Sequence, residues 1–400
     1  MAVCLSGGGF RAALYGLGVM RYLAEAKLLA RLEVICGVSG GSVASAAICA
    51  GVVRAGPASL SDEGFEREAF EPFMAAVGAA NLRNVALRRW LGGRLRLRGA
   101  PRNLVLAEVL AEALFKDAGE LARLPERPQL VVTATELAMG RAFRFARRFV
   151  GSYDFGYVEP PAAMTVATAV AASAAAPPFI PPLQLDTAGL GFRDAPAKLS
   201  VTDGGVYDNL GIEWFQGWAP HRRPPGAVRA DDLIVVNASG PLVRDGRAYQ
   251  GFRALDRMRK VQYAQTQATR VRWLVAELES GRQRGAYFGI TADPRMYRLP
   301  PPSRAPIDPA LYADALPSQL IAPLAELRTD FNRFSRAEAR LLAYHGYRSA
   351  HARFGSLRPE QAVLAPRWRE FAGMSEADAD RLASELRGRR HRVGLGERLR

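Results

Sequence analysis

The sequence predicts an α/β fold in which helices cover a parallel sheet. Three observations predict it. The first fifty or so residues alternate strand, helix, strand, helix. The strand candidates are continuous apolar runs, as strands covered on both faces are, rather than alternating ones. Each of the first two strands also ends in a glycine-rich turn that opens a helix.

The elements follow in order. Residues 2–6, AVCLS, form a short buried strand, and 10–29 a helix with Leu14, Leu17 and Leu28 near helical spacing. A second strand covers 32–36, LEVIC, and a buried helix 42–53. Residues 57–126 read mainly as helices and loops. Strands at 129–137 and 142–147 flank the turn AMG, and a helix over 165–176 is closed by Pro177 and Pro178. Strands follow at 199–203 and 232–239, a helix at 254–280 and a late strand at 286–291. A proline-rich segment, 294–317, precedes a helix at 335–354. The last stretch, 355–400, ends in RGRRHRVGLGERLR and reads as a basic, loose tail. No internal repeat is visible.

The apolar share is 49%, which supports a large core and argues against global disorder. No stretch has the long uncharged apolar run of a transmembrane helix; residues 162–183 come closest and are broken by proline. The start lacks the basic and apolar regions of a secretory leader. Cys4, Cys36 and Cys49 have neither zinc-site spacing nor a disulfide framework. The expected setting is a reducing cytoplasm, with peripheral contact to a membrane. The net charge is +15, and with only Lys27, Lys116, Lys198 and Lys260 as lysines it is nearly all arginine. Such a bias accompanies alanine-rich composition. It also suits an anionic partner: a membrane surface, a phospholipid or a nucleic acid. The arginines are scattered and carry no nucleic-acid motif, so no nucleic acid is expected.

Three glycine-flanked polar sites stand beside apolar segments. Gly37-Val38-Ser39-Gly40-Gly41 fits G-x-S-x-G between a strand and a helix, the setting of an exposed nucleophilic serine. A serine-capped glycine turn would read the same way. Gly7, Gly8 and Gly9 follow the first strand and open the first helix, so their N–H groups can form an anion nest. Gly7-x-Gly9-x-x-Ala12 also fits a dinucleotide fingerprint, but the second strand lacks the acidic residue that holds a ribose. No P-loop lysine follows either glycine run. The third site is Asp203 before Gly204 and Gly205, at the end of a strand. A serine nucleophile needs a base. His221, His345, His351 and His391 all lie outside strand-end glycine contexts, so Asp203 is the better candidate, with Asp208 a turn aspartate. His345 and His351 read as helix-surface or partly buried residues.

These stretches, LSGGGFRAALYGLG, GVSGGS and DGGVYDNLG in that order, resemble the patatin-like phospholipases. The resemblance covers most of residues 1–354. Ser6 stands where many members carry aspartate. It implies a three-layer α/β/α fold with a mainly parallel central sheet and helical C-terminal additions. It implies catalysis by Ser39 and Asp203, an oxyanion hole from Gly7, Gly8 and Gly9, and support from Arg11, Gly37, Gly41, Gly204 and Gly205. Arg11 either orients the glycine loop or meets a phosphate. No metal or other cofactor is implied. The implied substrate is an acyl-ester lipid, a phospholipid first, with neutral-lipid lipase or thioesterase chemistry and a silent lipid-binding module as alternatives. The expected organisation is a catalytic core at 1–240, a mainly helical continuation at 241–354 and the tail at 355–400. Residues 83–98, RNVALRRWLGGRLRLR, are read as a membrane-contact segment, in which Gly92-Gly93 would break a helix and 94–98 alternate like a strand.

Overall fold

In a computed structural model, the structure describes residues 1–95, 101–177, 180–216, 226–228, 230–242, 246 and 248–389. Its centre is one sheet. The strands are β1 (Ala2–Leu5), β2 (Val34–Val38), β3 (Gln129–Glu136), β4 (Arg141–Ala146), β5 (Phe149–Ser152), β6 (Gly156–Val158), β7 (Leu183–Asp186), β8 (Lys198–Asp203), β9 (Asp232–Asn237) and β10 (Arg284–Gly289). The order is β10-β9-β1-β2-β3-β4-β5-β6, with β8 joining β3 to β7. Strands β10, β9, β1, β2 and β3 are parallel, as the strand–helix alternation requires. From β3 onward the pairing is antiparallel, so the sheet is mixed rather than mainly parallel. For β3 and β4 the physical reason is the tight Leu137–Gly140 turn, which can only return the chain antiparallel.

One feature of this sheet positions the site. β2 lies on one edge of β3 and ends at Val38 beside Thr133. β8 approaches along the same edge from the opposite direction and ends at Asp203 beside Ala134. The two chain ends therefore meet head-on, and the residues that follow Val38 and close β8 are neighbours.

The helices are α1 (Gly9–Glu25), α2 (Gly40–Ala55), α3 (Asp62–Phe65), α4 (Glu71–Ala79), α5 (Leu82–Leu95), α6 (Arg102–Leu110), α7 (Val166–Ser173), α8 (Gly205–Asp208), α9 (Gly251–Glu279), α10 (Ser318–Ala325), α11 (Arg336–Leu357) and α12 (Glu376–Arg389). Side chains alternate between the two faces of the central strands. Val3, Leu5, Ile35, Ile234 and Val236 enter the larger core with α1, α2 and α11. Ala2, Cys4, Val34, Cys36, Leu233 and Val235 enter a second core with Leu210, Ile212, Trp214 and Leu274 of α9. Burial on both faces explains the unbroken apolar runs. Residues Gly40–Leu60 are long and apolar enough to cross a membrane, but 67% of that stretch is buried inside the fold.

α11 starts at a capping box, in which Ser335 and Glu338 each satisfy the other's backbone N–H. It packs along α1 almost backbone to backbone. A Cβ on Gly18 would lie 1.8 Å from the Ala343 carbonyl oxygen, and one on Gly346 2.1 Å from that of Tyr15.

The structure departs from two expectations. α5 runs through Gly92 to Leu95, because an exposed helix tolerates glycine at about 1 kcal/mol each; residues 96–98 lie outside the described residues. The stretch after 354 is not loose up to 389. Trp368 is buried against Phe70, Tyr344 and Tyr347, and α12 buries Ala379, Ala383 and Leu386. The apolar side of α12 was masked by its high charge. The basic end, 390–400, lies outside the described residues.

Candidate active site

Ser39 closes β2 and opens α2. Its backbone adopts φ 49° and ψ −117°, a conformation that strains any residue bearing a Cβ. Its surroundings hold it there. Its N–H donates to Ser173 Oγ at 2.8 Å, and the Ser173 hydroxyl donates to the Thr133 carbonyl at 2.7 Å. The Ser39 carbonyl accepts from the Ser42 N–H and the Ser42 hydroxyl. The turn admits no side chain at its flanks. A Cβ on Gly37 would lie 2.5 Å from Ser42 Cα, and one on Gly41 2.1 Å from the Leu5 carbonyl oxygen. Ser39 thus sits at the amino terminus of a sixteen-residue helix, where the dipole favours negative charge.

Asp203 closes β8 at the facing chain end. Its N–H donates to the Ala175 carbonyl, and its own carbonyl accepts from the Thr135 hydroxyl. Its Oδ1 accepts the Gly205 N–H at 2.7 Å. Burial pushes its pKa up to about 6, against the opposing pull of the Gly205 N–H and of the nearby Ser39 hydroxyl. Gly204 packs edge-on to β3, where a Cβ would lie 2.2 Å from the Thr133 carbonyl oxygen.

The glycine loop lies against the Ser39 turn. A Cβ on Gly40 would sit 2.0 Å from the Gly9 carbonyl oxygen. Gly8 and Gly9 have φ of 137° and 58°, and among the described residues no backbone acceptor takes their N–H groups. Gly7 differs. Its N–H already donates to the Asn209 carbonyl at 3.0 Å, so it is not free for an oxyanion, against the expectation from the sequence. Arg11 is 3% exposed. Its Nη1 donates to the carbonyls of Ala325 and Leu327, each at 2.7 Å, and its Nη2 to that of Ala238 at 3.0 Å. Burial lowers its pKa to about 10. Both terminal nitrogens hold backbone, which agrees with the loop-orienting reading rather than the phosphate one.

The strand-end serine, the partly buried carboxylate and the glycine loop stand at the positions of the three sequence motifs. The sequence profile of the patatin-like phospholipases matches residues 3–215. The chain belongs to the patatin-like phospholipase family. Solved structures similar to this family member include human GIVD cytosolic phospholipase A2, at 14% identity and a TM-score of 0.47, with 97% of this chain and 60% of that chain covered. VipD from Legionella pneumophila is another, at 13% identity and a TM-score of 0.34, covering 96% of this chain and 74% of that one. The chain thus spans 60% of the length of the human enzyme it resembles. Among curated proteins, no sequence matches it.

Within this patatin-like site, several residues escaped the sequence reading. A Cβ on Gly205 would meet three polar atoms: Asn209 Oδ1 at 2.7 Å, Tyr263 Oη at 2.9 Å and Asp203 Oδ1 at 3.0 Å. Asn209 Nδ2 donates to Ser239 Oγ, while its Oδ1 is buried without a hydrogen-bond partner. The Asn209 signal was present in DGGVYDNLG; Ser173 and Tyr263 come from distant helices and gave none. Asp208 closes α8 rather than standing in a turn. It accepts from the N–H groups of Leu210 and Glu213 and pairs with Arg270. His345 and His351 are buried rather than on a helix surface. His345 bonds the Ile290 carbonyl at 2.8 Å, and burial lowers both pKa values to about 4. His221 and His391 lie outside the described residues. Among those described, no group of three His, Cys, Asp or Glu side chains could hold a metal.

Proposed function

We propose that the protein is a serine lipid acyl hydrolase, acting on phospholipids through Ser39 and Asp203. One observation carries the reading most: β2 and β8 converge on one edge of β3, which presents a strained serine to a carboxylate whose pKa is raised into the working range of a base. Ser39 Oγ attacks the acyl carbonyl carbon while Asp203 takes its proton. The N–H groups of Gly8 and Gly9 hold the resulting oxyanion. Collapse breaks the ester bond, and Asp203 returns its proton to the leaving alcohol. Water then attacks the acyl-enzyme, Asp203 takes a proton from it, and the fatty acid leaves as Ser39 regains its hydrogen. The polar atoms around Gly205 suit the attacking water. Arg11 ties the segment from 325 to 327 to the end of β9, and so orients the glycine loop. Residues 1–240 form the catalytic unit, and 241–354 continue it, since Ala325 and Leu327 bind Arg11 and α11 covers α1.

The same dyad would serve a neutral-lipid lipase or a thioesterase. A panel of phospholipid, triacylglycerol and acyl-thioester substrates, run beside Ser39→Ala, separates these. Fatty acid release from phospholipid by the wild type alone is the expected result. Equal release by the variant would remove Ser39 from the account.

The pH dependence has a definite sign. The base works ionised, and its pKa is about 6. Activity should therefore fall as pH drops through 6, approaching about tenfold per unit below it, and level off above. A profile flat down to pH 4.5 would contradict the assignment of Asp203.

A further inference from the structure

α9 is 29 residues long, yet Leu274 is its one fully buried side chain among the described residues. Its second half is fastened to the fold. Gln267 donates to Asn237, Arg270 pairs with Asp208, and Leu274 enters the second core. Tyr263 stands over Gly205 beside the Asp203 carboxylate. From there the first half runs outward, and Phe252 lies roughly 16 Å along the axis from Tyr263 at 1.5 Å per residue.

This outer half exposes large apolar side chains: Phe252 at 90%, Leu255 at 60%, Met258 at 57% and Val261 at 36%. Spaced three apart, they step about 60° around the helix each time across half of its circumference, a half they share with Arg259 and Gln262. Arg253, Arg257 and Lys260 fall together on the other half. Asp256 is the only acid in the segment, and it pairs with Arg259 and Lys260. Val206 of α8, which packs on α9, is itself 54% exposed next to the Asp203 turn.

We propose that the amino-terminal half of α9, with Phe252, Leu255 and Met258 inserted and Arg253, Arg257 and Lys260 at the headgroups, docks the protein on an anionic phospholipid bilayer. This rests on the reading of the site as one for bilayer lipids. Apolar side chains backed by cations match such an interface in chemistry and charge. A second copy of the chain would bring the same cations against one another, in a molecule of net charge +15. In the sequence-read segment at 83–98, Arg83 pairs with Asp330, Arg89 pairs with Glu112 and Arg102 stacks over Trp90. Because α9 is anchored beside Asp203, docking through its outer half also brings the site toward the bilayer.

The test uses the full chain and sedimentation with vesicles of phosphatidylcholine, with and without phosphatidylglycerol. Phe252→Ser/Leu255→Ser/Met258→Ser should weaken binding at least about tenfold. Arg253→Gln/Arg257→Gln/Lys260→Gln should weaken it only on the anionic vesicles and flatten its salt dependence. Circular dichroism, and hydrolysis of a soluble short-chain ester, should stay unchanged in both. Undiminished vesicle binding by the serine variant, or no binding by the wild type, would overturn the proposal. A change in molecular mass with vesicle binding intact would instead make this face a contact between copies. A wild type that binds vesicles through α9 but hydrolyses no ester would sink the hydrolase reading and leave the docking surface standing.

Discussion

Ser39→Ala and Asp203→Asn each lower acyl-ester hydrolysis by at least about 10³-fold, and the double variant is little worse than either single one. The serine and the carboxylate act as one unit, so removing either member removes the unit. The two variants should part in stability. An acid whose folded pKa is about 6 instead of 3.8 holds its proton more tightly in the native state. Its ionisation therefore destabilises the fold above pH 6, by an amount that shrinks as pH falls and vanishes below about pH 4. Asparagine carries no charge to bury. Asp203→Asn should then be more stable than the wild type at pH 8, by on the order of 1–2 kcal/mol once partial solvent exposure is allowed for, and no more stable at pH 4. Urea unfolding at the two pH values measures this. Equal stability at both would mean that the carboxylate is better solvated than its setting indicates. Near-normal turnover by Asp203→Asn would assign the base elsewhere.

Arg11→Met removes the second large contribution. Three buried backbone carbonyls lose their donor at once, at positions joining the end of β9 to the segment that closes over Gly9. A Cβ on Gly9 would lie 2.2 Å from the Thr329 carbonyl oxygen, which shows how closely that segment covers the glycine loop. A loss of about 3 kcal/mol is expected, since each unsatisfied carbonyl costs about 1 kcal/mol or more. Activity should fall about 10²-fold on phospholipid and soluble ester alike, because a displaced oxyanion loop serves neither. Arg11→Lys should recover part of the stability, as one ammonium cannot reach all three carbonyls. A variant that kept its stability and lost only phospholipid binding would favour the reading in which Arg11 meets the headgroup.

The sequence made the chemistry of this site legible because its parts are local. Strand, glycines and serine occur within a few residues at Ser39, and strand, aspartate and glycines do so at Asp203. Their meeting was not legible, for it depends on β8 pairing with β3 end-on to β2, a contact between segments far apart in the chain. The same limit hid Ser173, which steadies the strained Ser39 backbone, and Tyr263. Gly7 shows a finer failure. A glycine run announces free N–H groups, but not which of them a neighbouring carbonyl will take. Glycines also misled at Gly92-Gly93, where solvent exposure made a helix tolerable. Arginine and tryptophan density marks residues 83–98 in the sequence. Apolar exposure on α9 could be seen only once the fold showed which half of a long polar helix leaves the core.

The central claim is that Ser39 is the nucleophile and Asp203 its base. Covalent labelling tests it most directly. A fluorophosphonate ester should phosphonylate Ser39 Oγ with loss of fluoride, adding one equivalent of mass to the intact protein. Peptide mapping should place the adduct on Ser39, labelling should halt ester hydrolysis in step with its extent, and Asp203→Asn should label far more slowly. An adduct on another residue, or full hydrolysis by protein labelled at Ser39, would contradict the account.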